Sequence, residues 1–192
     1  MTDASPWQVL ESRRLLHDQW ISLRAERLRT ASGVVIDPWY VLDYPDWALA
    51  VAVTGDDRLV LVRQWRHGAQ AWSLELPGGV VDANDPDPVH AARRELLEET
   101  GHAAAEWRYL HAGFPNPAIQ SNRLHVALAL GARAERAVSH EPGEAMTVEL
   151  VPIPQVLEGI GRGMIGQAMH VGAVLVGLAA AGRIAFAEGS RA

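Results

Sequence analysis

Apolar and polar residues alternate in three stretches near the start of the chain, at residues 7–16, 20–29 and 34–43. A period of two is typical of half-buried strands, and residues 30–33 have the composition of a turn. We therefore predict an N-terminal three-stranded antiparallel sheet over residues 1–45. A sheet of this size buries little surface alone, so its tryptophans are expected to pack on the main domain or on a second subunit.

The pattern in residues 46–192 predicts a second and larger domain. Alternating or continuously apolar stretches predict strands at residues 47–54, 59–65, 72–76, 107–112, 124–130 and 147–151. The apolar period changes to that of a helix at residues 88–100, 155–159 and 165–181, and Gly101 is typical of a helix end. Strands interleaved with helices predict an α/β sandwich, in which helices pack on a central mixed sheet.

The composition narrows the chemistry that the protein can perform. The formal net charge is −6 and the basic residues are scattered, so binding to a nucleic-acid polymer is not expected. The absence of cysteine excludes thiol nucleophiles and zinc–thiolate sites, so a metal would have to be bound by oxygen or imidazole ligands. The most apolar run, residues 171–181, is about half as long as a membrane span. The N-terminus also lacks the apolar core of a signal peptide, and a cytoplasmic location without membrane insertion is expected.

Charged residues in the predicted central helix carry the main chemical signal. Glu95, Glu98 and Glu99 stand at offsets of 0, 3 and 4, which brings their carboxylates to one helix face. These charges repel one another, but Mg²⁺ or Mn²⁺ would turn that repulsion into attraction. Arg94 precedes Glu98 by four residues and can orient its carboxylate. A solvated charged face is the alternative for an isolated cluster. The glycine turn upstream of the helix favours a functional site.

The spacing of these residues resembles the Nudix box, which is a glycine, five residues, an acid, seven residues and then Arg-Glu-apolar-x-Glu-Glu-x-Gly. The positions that match are Gly79, Arg94, Glu95, Leu96, Glu98, Glu99 and Gly101. The sequence departs from the box by having Asp85 in place of the first glutamate and one extra residue before Arg94. We expect the extra residue to bulge from a proline-rich loop and to leave the helix register intact.

The resemblance implies a Nudix-type α/β/α sandwich and metal-assisted attack of water on a diphosphate. It implies that Glu95 and Glu99 bind the metal directly, that Glu98 is a ligand or a water-orienting base, and that the first acid, Asp85, is mainly structural. Arg94 would assist catalysis by orienting the glutamates, and Gly79 would let the backbone approach the substrate closely. The expected cofactor is Mg²⁺, with Mn²⁺ as a possible substitute.

Three features outside the box resemble ADP-ribose pyrophosphatases and nucleoside diphosphate sugar hydrolases. They are the Gln-aromatic-Arg sequence of residues 64–66, the Glu-Leu-Pro-Gly-Gly sequence of residues 75–79, and Pro117. The resemblance implies that Gln64 and Arg66 contact the substrate, with Arg66 on the diphosphate or ribose. It also implies that the N-terminal sheet is exchanged across a homodimer. Trp39 would then stack on the base, although ordinary packing is an equally simple role for it.

Polar residues are dense just before the predicted strand 124–130. Asn116, Asn122 and His125 are candidate substrate contacts, and a capped loop is the alternative. No acidic residue occurs between Glu106 and Glu135, where many ADP-ribose pyrophosphatases carry one. The loop therefore resembles more closely the group that hydrolyses nucleoside diphosphate sugars broadly.

The predicted reaction converts a nucleoside diphosphate sugar or ADP-ribose into a nucleoside monophosphate and a sugar phosphate. By resemblance, the general base is Glu144 on the loop before the last strand, with Glu141 as the reserve; a loop acid without a role is the alternative. NAD(H), dinucleoside polyphosphates, coenzyme A and oxidised nucleoside triphosphates are competing substrates. A non-catalytic module that senses ADP-ribose or a sugar nucleotide is the main alternative from another class. A scaffold protein would leave the acidic cluster unexplained.

Overall fold

The computed structural model of the chain describes residues 6–138 and 146–185. The chain divides into two compact units. One unit comprises the described residues up to Pro45 together with Phe114–Arg123. The other comprises Asp46–Gly113 and the described residues from Leu124 onward. A short segment from the middle of the sequence therefore belongs to the same unit as the N-terminal residues.

The first unit is built on a three-stranded antiparallel sheet, as the alternating pattern predicted. Its strands are β1 (Gln8–His17), β2 (Ser22–Arg29) and β3 (Val35–Leu42), with β2 in the middle. The end of β3 joins the segment Phe114–Arg123 through the backbone of Leu42. Its N–H donates to the Ile119 carbonyl at 2.7 Å, and its carbonyl accepts from the Ser121 N–H at 3.1 Å.

The second unit contains an eight-stranded mixed sheet. The strands are β4 (Trp47–Thr54), β5 (Arg58–Arg66), β6 (Ala71–Glu75), β7 (Gly78–Val80), β8 (His102–Ala103), β9 (Glu106–Gly113), β10 (Leu124–Ala134) and β11 (Met146–Pro152). The main path runs β11-β5-β4-β10-β8; β6 pairs with β5, β7 with β4 and β9 with β10. The β4–β10 pair is parallel, and the other pairs are antiparallel.

Three helices pack on this sheet: α1 (Pro88–Thr100), α2 (Ile153–Ile160) and α3 (Ala168–Ala180). The ends of α1 follow from its sequence. The Asp87 side chain accepts a hydrogen bond from the His90 N–H at 2.8 Å, and Pro88 occupies the first turn, where its missing N–H costs nothing. Gly101 ends the helix with a left-handed backbone, at φ 67°.

The alternation of side chains along β4 places a core on each face of the sheet. Its small residues at positions 48, 50 and 52 are alanines that pack with the buried face of α1. Its larger residues at positions 49, 51 and 53 pack with α2 and α3. Because strand side chains alternate, one strand separates two apolar layers. The predicted α/β/α sandwich with a mixed sheet is confirmed.

Three local predictions were wrong or incomplete. The glycine turn is not only a turn, because Gly78 and Gly79 pair with Leu49 and Ala48 of β4 as part of β7. The two-residue strand β8 was missed because it is too short to show a period. The last helix starts at Ala168, and Ile165 instead forms a β-bridge with Leu74. Within the described residues, no helix is long and apolar enough to cross a membrane.

Candidate active site

A cavity of about 370 Å³ lies beside the glycine turn of β7. One part of its wall is apolar and the rest is polar. The apolar lining residues are Trp47, Leu49, Val80, Leu124 and Met169, and the others are Arg66, Gly78, Gly79, Gln167 and His170. Sites for small molecules commonly have this size and this mixture of apolar surface with a few polar groups.

The carboxylates of Glu95 and Glu99 lie against the glycine turn that lines the cavity. Glu99 Oε2 accepts a hydrogen bond from the Gly78 N–H at 2.9 Å. A Cβ on Gly79 would lie only 2.6 Å from Glu95 Oε1, so no larger residue fits there unless Glu95 moves. The helix therefore places these two acids against the glycine turn, whose Gly78 and Gly79 line the cavity.

Arg94 connects the acids of α1 to the loop that precedes the helix. Its Nη1 donates to Glu95 Oε1 at 2.7 Å and to Glu98 Oε2 at 3.0 Å. Its Nη2 donates to Asp85 Oδ2 at 3.1 Å and to the Val80 carbonyl at 2.9 Å. These contacts occupy the guanidinium with protein acceptors, which favours an orienting role for Arg94 over direct contact with substrate.

The two acids on either side of Arg94 differ in their electrostatics. Hydrogen bonds from Arg94 hold the pKa of Asp85 at about 2, and the Asp85 side chain is only 4% exposed. Asp85 is thus a fixed anchor for Arg94, as the structural role implied by the family would require. Burial raises the pKa of Glu95 above its ordinary value, and Arg94 opposes this only in part. A cation near Glu95 would stabilise its charged form. Glu98 is 51% exposed.

Arg66, which also lines the cavity, pairs with the buried carboxylate of Glu75. Its Nε donates to Oε1 at 3.0 Å and its Nη2 to Oε2 at 2.5 Å, and Gln64 Nε2 reaches the same carboxylate at 3.5 Å. Burial opposes ionisation of Glu75, but the hydrogen bonds from Arg66 and Ser73 outweigh it and keep its pKa below the ordinary value. Nη1 of Arg66 makes no hydrogen bond with any described residue, so it is available to a ligand.

His170 of α3 completes this network. The Leu76 N–H donates to His170 Nδ1 at 3.0 Å, and His170 Nε2 lies 3.9 Å from Glu75 Oε2. Burial lowers the pKa of His170 to about 4, which keeps the ring neutral near pH 7. Because Nδ1 accepts a hydrogen bond, the ring proton belongs on Nε2, the side that faces Glu75.

The acids of α1 suit a hard divalent cation. In the part of the chain that the structure describes, no three His, Asp or Glu side chains already converge as a complete metal cage. Mg²⁺ commonly binds through one or two carboxylates and completes its octahedron with water and substrate phosphates. Glu95 and Glu99 beside the glycine turn, with the exposed Glu98 on the same helix, supply such a partial set of oxygen ligands.

The polar loop residues have different surroundings from those of the cavity. Asn116 and Asn122 both belong to the segment Phe114–Arg123 of the first unit. Asn122 is buried, and its carboxamide has no hydrogen-bond partner among the described residues. His125 is held between Asp46 Oδ2 at 3.1 Å and the Tyr109 hydroxyl at 3.0 Å, a sufficient structural reason for its presence. Substrate contact by these residues stays a prediction.

Trp39 and Glu144 are the remaining predicted site residues. Trp39 packs edge to face on Trp7, with ring centroids 5.4 Å apart, so packing accounts for it within the N-terminal sheet. Glu144, the predicted general base, and its reserve Glu141 lie outside the described residues.

The sequence did not point to Trp47, Gln167 and His170 as residues of the cavity. For His170 there was a signal, since it is the one polar side chain in the apolar sequence of α3. A buried polar group in such a helix needs a partner, but the sequence could not say which one. Nothing local distinguished Trp47 from the other tryptophans.

Comparison with known proteins agrees with this geometry. The model of the NUDIX domain matches residues 44–166, and that of the nucleoside diphosphate sugar hydrolase N-terminal domain matches residues 7–42. The chain is 28% identical over 172 residues to an ADP-ribose pyrophosphatase of Mycobacterium tuberculosis, which covers 88% of this chain and 82% of that protein. It is 27% identical over 164 residues to a GDP-mannose pyrophosphatase of Klebsiella pneumoniae, with coverage of 79% and 82%.

The fold has a close counterpart among solved structures. The crystal structure of an ADP compounds hydrolase superimposes with a TM-score of 0.81 and covers 96% of this chain and 100% of that one, at 20% sequence identity. This likeness concerns the fold, whereas the match of the domain model extends over the box, the glycine turn and the strands that form the cavity. The chain therefore belongs to the Nudix hydrolase family.

Proposed function

We propose that this protein hydrolyses the diphosphate bond of a nucleoside diphosphate sugar or of ADP-ribose, with Mg²⁺ as its cofactor and Mn²⁺ as a substitute. The products are a nucleoside monophosphate and a sugar phosphate. One observation carries the proposal: the cavity wall combines the glycine turn, which contacts the carboxylates of Glu95 and Glu99, with the guanidinium of Arg66. A diphosphate needs this combination of cation-binding acids and a fixed positive charge.

The residues divide the work between them. Glu95 and Glu99 would hold Mg²⁺ with help from Glu98, and the bound ion would neutralise phosphate charge and assist ionisation of the attacking water. Arg94 keeps Glu95 and Glu98 in place. Arg66 offers its free Nη1 to a phosphate oxygen or a ribose hydroxyl, and Gln64 supports it through Glu75. Gly79 lines the cavity, and its lack of a side chain leaves room for the Glu95 carboxylate to lie against the backbone.

The proton of the attacking water requires an acceptor. Glu98 is suited to this role because its side chain is 51% exposed and its carboxylate is oriented by Arg94 Nη1 at 3.0 Å. Glu144, which precedes β11 in the sequence, is the second candidate. The two candidates are separable: Glu98→Gln and Glu144→Gln should each be assayed across pH, and loss of the acidic limb of the kcat profile identifies the base.

The choice of substrate rests on the relatives and on the cavity. An ADP-ribose pyrophosphatase and a GDP-mannose pyrophosphatase align over most of the chain, and the N-terminal residues match a domain named for nucleoside diphosphate sugar hydrolases. The apolar wall formed by Trp47, Leu49 and Met169 suits the face of a base or a sugar ring, while Arg66 suits the phosphates.

A substrate panel tests the proposal. ADP-ribose, GDP-mannose, ADP-glucose, UDP-glucose and NADH should be assayed for released monophosphate with Mg²⁺, with Mn²⁺ and with EDTA. We expect turnover of at least one sugar nucleotide or ADP-ribose that EDTA abolishes. Selective turnover of NADH, a dinucleoside polyphosphate or a triphosphate would overturn the substrate class. Tight binding of ADP-ribose without any turnover would instead indicate a sensing module.

We also propose that the N-terminal sheet mediates a homodimer. Its described strands and turns expose Leu16, Trp20 and Tyr40, and Trp20 is 79% exposed. Association with a second copy would remove such apolar surface from water. Sedimentation of the full chain should give a dimer, and Trp20→Glu should shift it toward the monomer. A wild-type protein that sediments as a monomer at micromolar concentration would contradict this proposal.

A further inference from the structure

His170 is a buried neutral imidazole whose role the hydrolytic chemistry does not require. It lies in the first turn of α3, where every other side chain of the helix is apolar. It lines the cavity but makes its hydrogen bond to the backbone of Leu76, 94 residues away in the sequence. A buried polar side chain that spans two elements in this way usually fixes their relative position.

The bond from Leu76 to His170 Nδ1 acts directly on Glu75. The N–H of Leu76 belongs to the peptide group that follows Glu75, so holding this N–H holds the plane of that peptide and the direction of the Glu75 side chain. Glu75 in turn receives two hydrogen bonds from Arg66, at 3.0 and 2.5 Å. The path from α3 to the guanidinium of Arg66 therefore consists of hydrogen bonds at its two ends, joined by the covalent link between Leu76 and Glu75.

The second nitrogen of the ring strengthens the same arrangement. With its proton on Nε2, the ring directs a positive dipole end toward Glu75 Oε2 at 3.9 Å, which is too long for a hydrogen bond. The contact favours the ionised form of Glu75, and the ionised form is the one that binds Arg66 through both oxygens. Both ring nitrogens thus support a single orientation of the Glu75 carboxylate.

We propose that His170 is a positioning residue that fixes Arg66 for the substrate by holding the Leu76 N–H and the Glu75 carboxylate. This inference rests on the proposed function, because it assigns Arg66 to the diphosphate or ribose. It makes α3 part of the substrate-binding apparatus and gives that helix a role beyond covering the sheet.

Two substitutions separate the hydrogen bond from the volume of the ring. In His170→Asn, Oδ1 occupies the position of Nδ1 and can still accept from Leu76, whereas His170→Phe keeps a ring but has no acceptor. We expect KM to rise about tenfold in His170→Phe, the size of one lost hydrogen bond to a binding group, with kcat within about threefold of wild type. His170→Asn should restore most of the loss. Equal KM values for the two variants would overturn the proposal.

A double-mutant cycle with Arg66→Ala tests whether the effect passes through Arg66. If it does, adding His170→Phe to Arg66→Ala should change KM by less than about twofold, since the group being positioned is already gone. The same tenfold rise in both backgrounds would show that His170 acts only on general stability. Thermal melting of all four proteins should show that they are folded at the assay temperature.

A spectroscopic readout distinguishes failure of this inference from failure of the proposed function. The Arg66 Nε–H, which donates to Glu75, should give a protected ¹H–¹⁵N resonance without any substrate. We expect the resonance to shift or broaden in His170→Phe and to return in His170→Asn. An unchanged resonance in His170→Phe would refute the positioning role. Lack of turnover on every diphosphate, with the resonance behaving as expected, would refute only the proposed function.

Discussion

Two arginines form the polar framework of this protein, and they are used in opposite ways. Arg94 binds acids that are close to it in sequence, and its contacts occupy both terminal nitrogens. Arg66 binds one carboxylate, that of Glu75, and its guanidinium lines the cavity with Nη1 free of any bond to the described residues. The side chain of Arg66 is also 45% exposed.

The difference shows that the number of ion pairs does not identify the arginine that meets the substrate. A guanidinium with all its donors used by protein groups is a clamp, because rebinding it to a ligand would leave buried carboxylates unpaired. A guanidinium held on one edge keeps its other edge for the ligand. We therefore expect changes around α1 to act mainly on kcat, and changes around Arg66 to act mainly on KM.

The largest effect is expected at Glu99. In Glu99→Gln the amide oxygen can still accept from the Gly78 N–H, so the turn stays in place while the charge for the metal is lost. We expect kcat to fall about 1000-fold, or about 4 kcal/mol, with an unchanged circular dichroism spectrum. Glu158→Gln is the matched control. It removes an exposed acid of α2 that pairs with Arg162, and it should leave kcat unchanged. Full activity of Glu99→Gln would break the assignment of α1 to catalysis.

The next largest effect is a pH dependence of the free energy of unfolding, caused by His170 beside Glu75 and Arg66. The pKa of His170 is about 4 in the folded protein and near 6.5 when unfolded, and Glu75 and Arg66 are the charged groups that face it. The unfolded state takes up the proton first, so the stabilisation is complete above pH 6.5 and is lost as the pH falls toward 4. The difference corresponds to about 3 kcal/mol at most. Urea titrations should show this slope in wild type and a flatter one in His170→Asn; equal slopes would contradict it.

Two single substitutions, one at the carboxylate partner of each arginine, test the difference between Arg94 and Arg66. Asp85→Asn should lower the free energy of unfolding by about 2 kcal/mol, because Arg94 loses a nearly fully buried charged acceptor. Glu75→Gln should lower the free energy of unfolding by about 1 kcal/mol. This loss is smaller than that of Asp85→Asn because water screens the charge of the half-exposed Arg66. Glu75→Gln should raise KM, whereas Asp85→Asn should lower kcat. Denaturant unfolding and steady-state kinetics measure both, and a reversed pattern would remove the distinction between the two arginines.

The smallest effect is expected at Gly79. In Gly79→Ala the new methyl group would meet the Glu95 carboxylate, which is the mobile end of a side chain and can move away. We expect a melting temperature near that of wild type and a loss of kcat of about tenfold, or 1.4 kcal/mol. Gly55→Ala, at a glycine with open space around it, is the control and should retain activity. Equal activities of the two variants would show that the position of Glu95 does not matter.

Structural features that depend on neighbouring residues could be predicted from the sequence. The strands of both sheets show the expected periods, and α1 has its Asp87 cap, its proline and its final glycine within one short segment. Glu95 and Glu99 lie against the glycine turn with the extra residue present in the loop, and a loop can accommodate such a residue because the helix begins at its own cap. The glycine turn was found, but its pairing with β4 was not, since glycine gives little indication of a strand.

Contacts between distant segments could not be predicted from the sequence, because they depend on how the strands pair. Substrate contact by His125 stays a prediction, but the sequence did not indicate that its ring nitrogens would contact Asp46, just before β4, and Tyr109 of β9. Its neighbours are set by the pairing of β10 with β4 and β9, which no local pattern reveals. The position of Trp47 in the cavity wall could not be predicted either, because it depends on where β4, whose first residue is Trp47, lies in the sheet.

The pattern of strands and helices, the family and the acidic face of α1 could be predicted from the sequence, because helix geometry places residues three and four apart on one side whatever surrounds them. The roles of the two arginines could not, because they became apparent only from the contacts in the folded chain. That outcome depends on Arg66, Glu75 and His170 meeting across two strands and a helix, where contacts arise from packing and register between segments far apart in the chain.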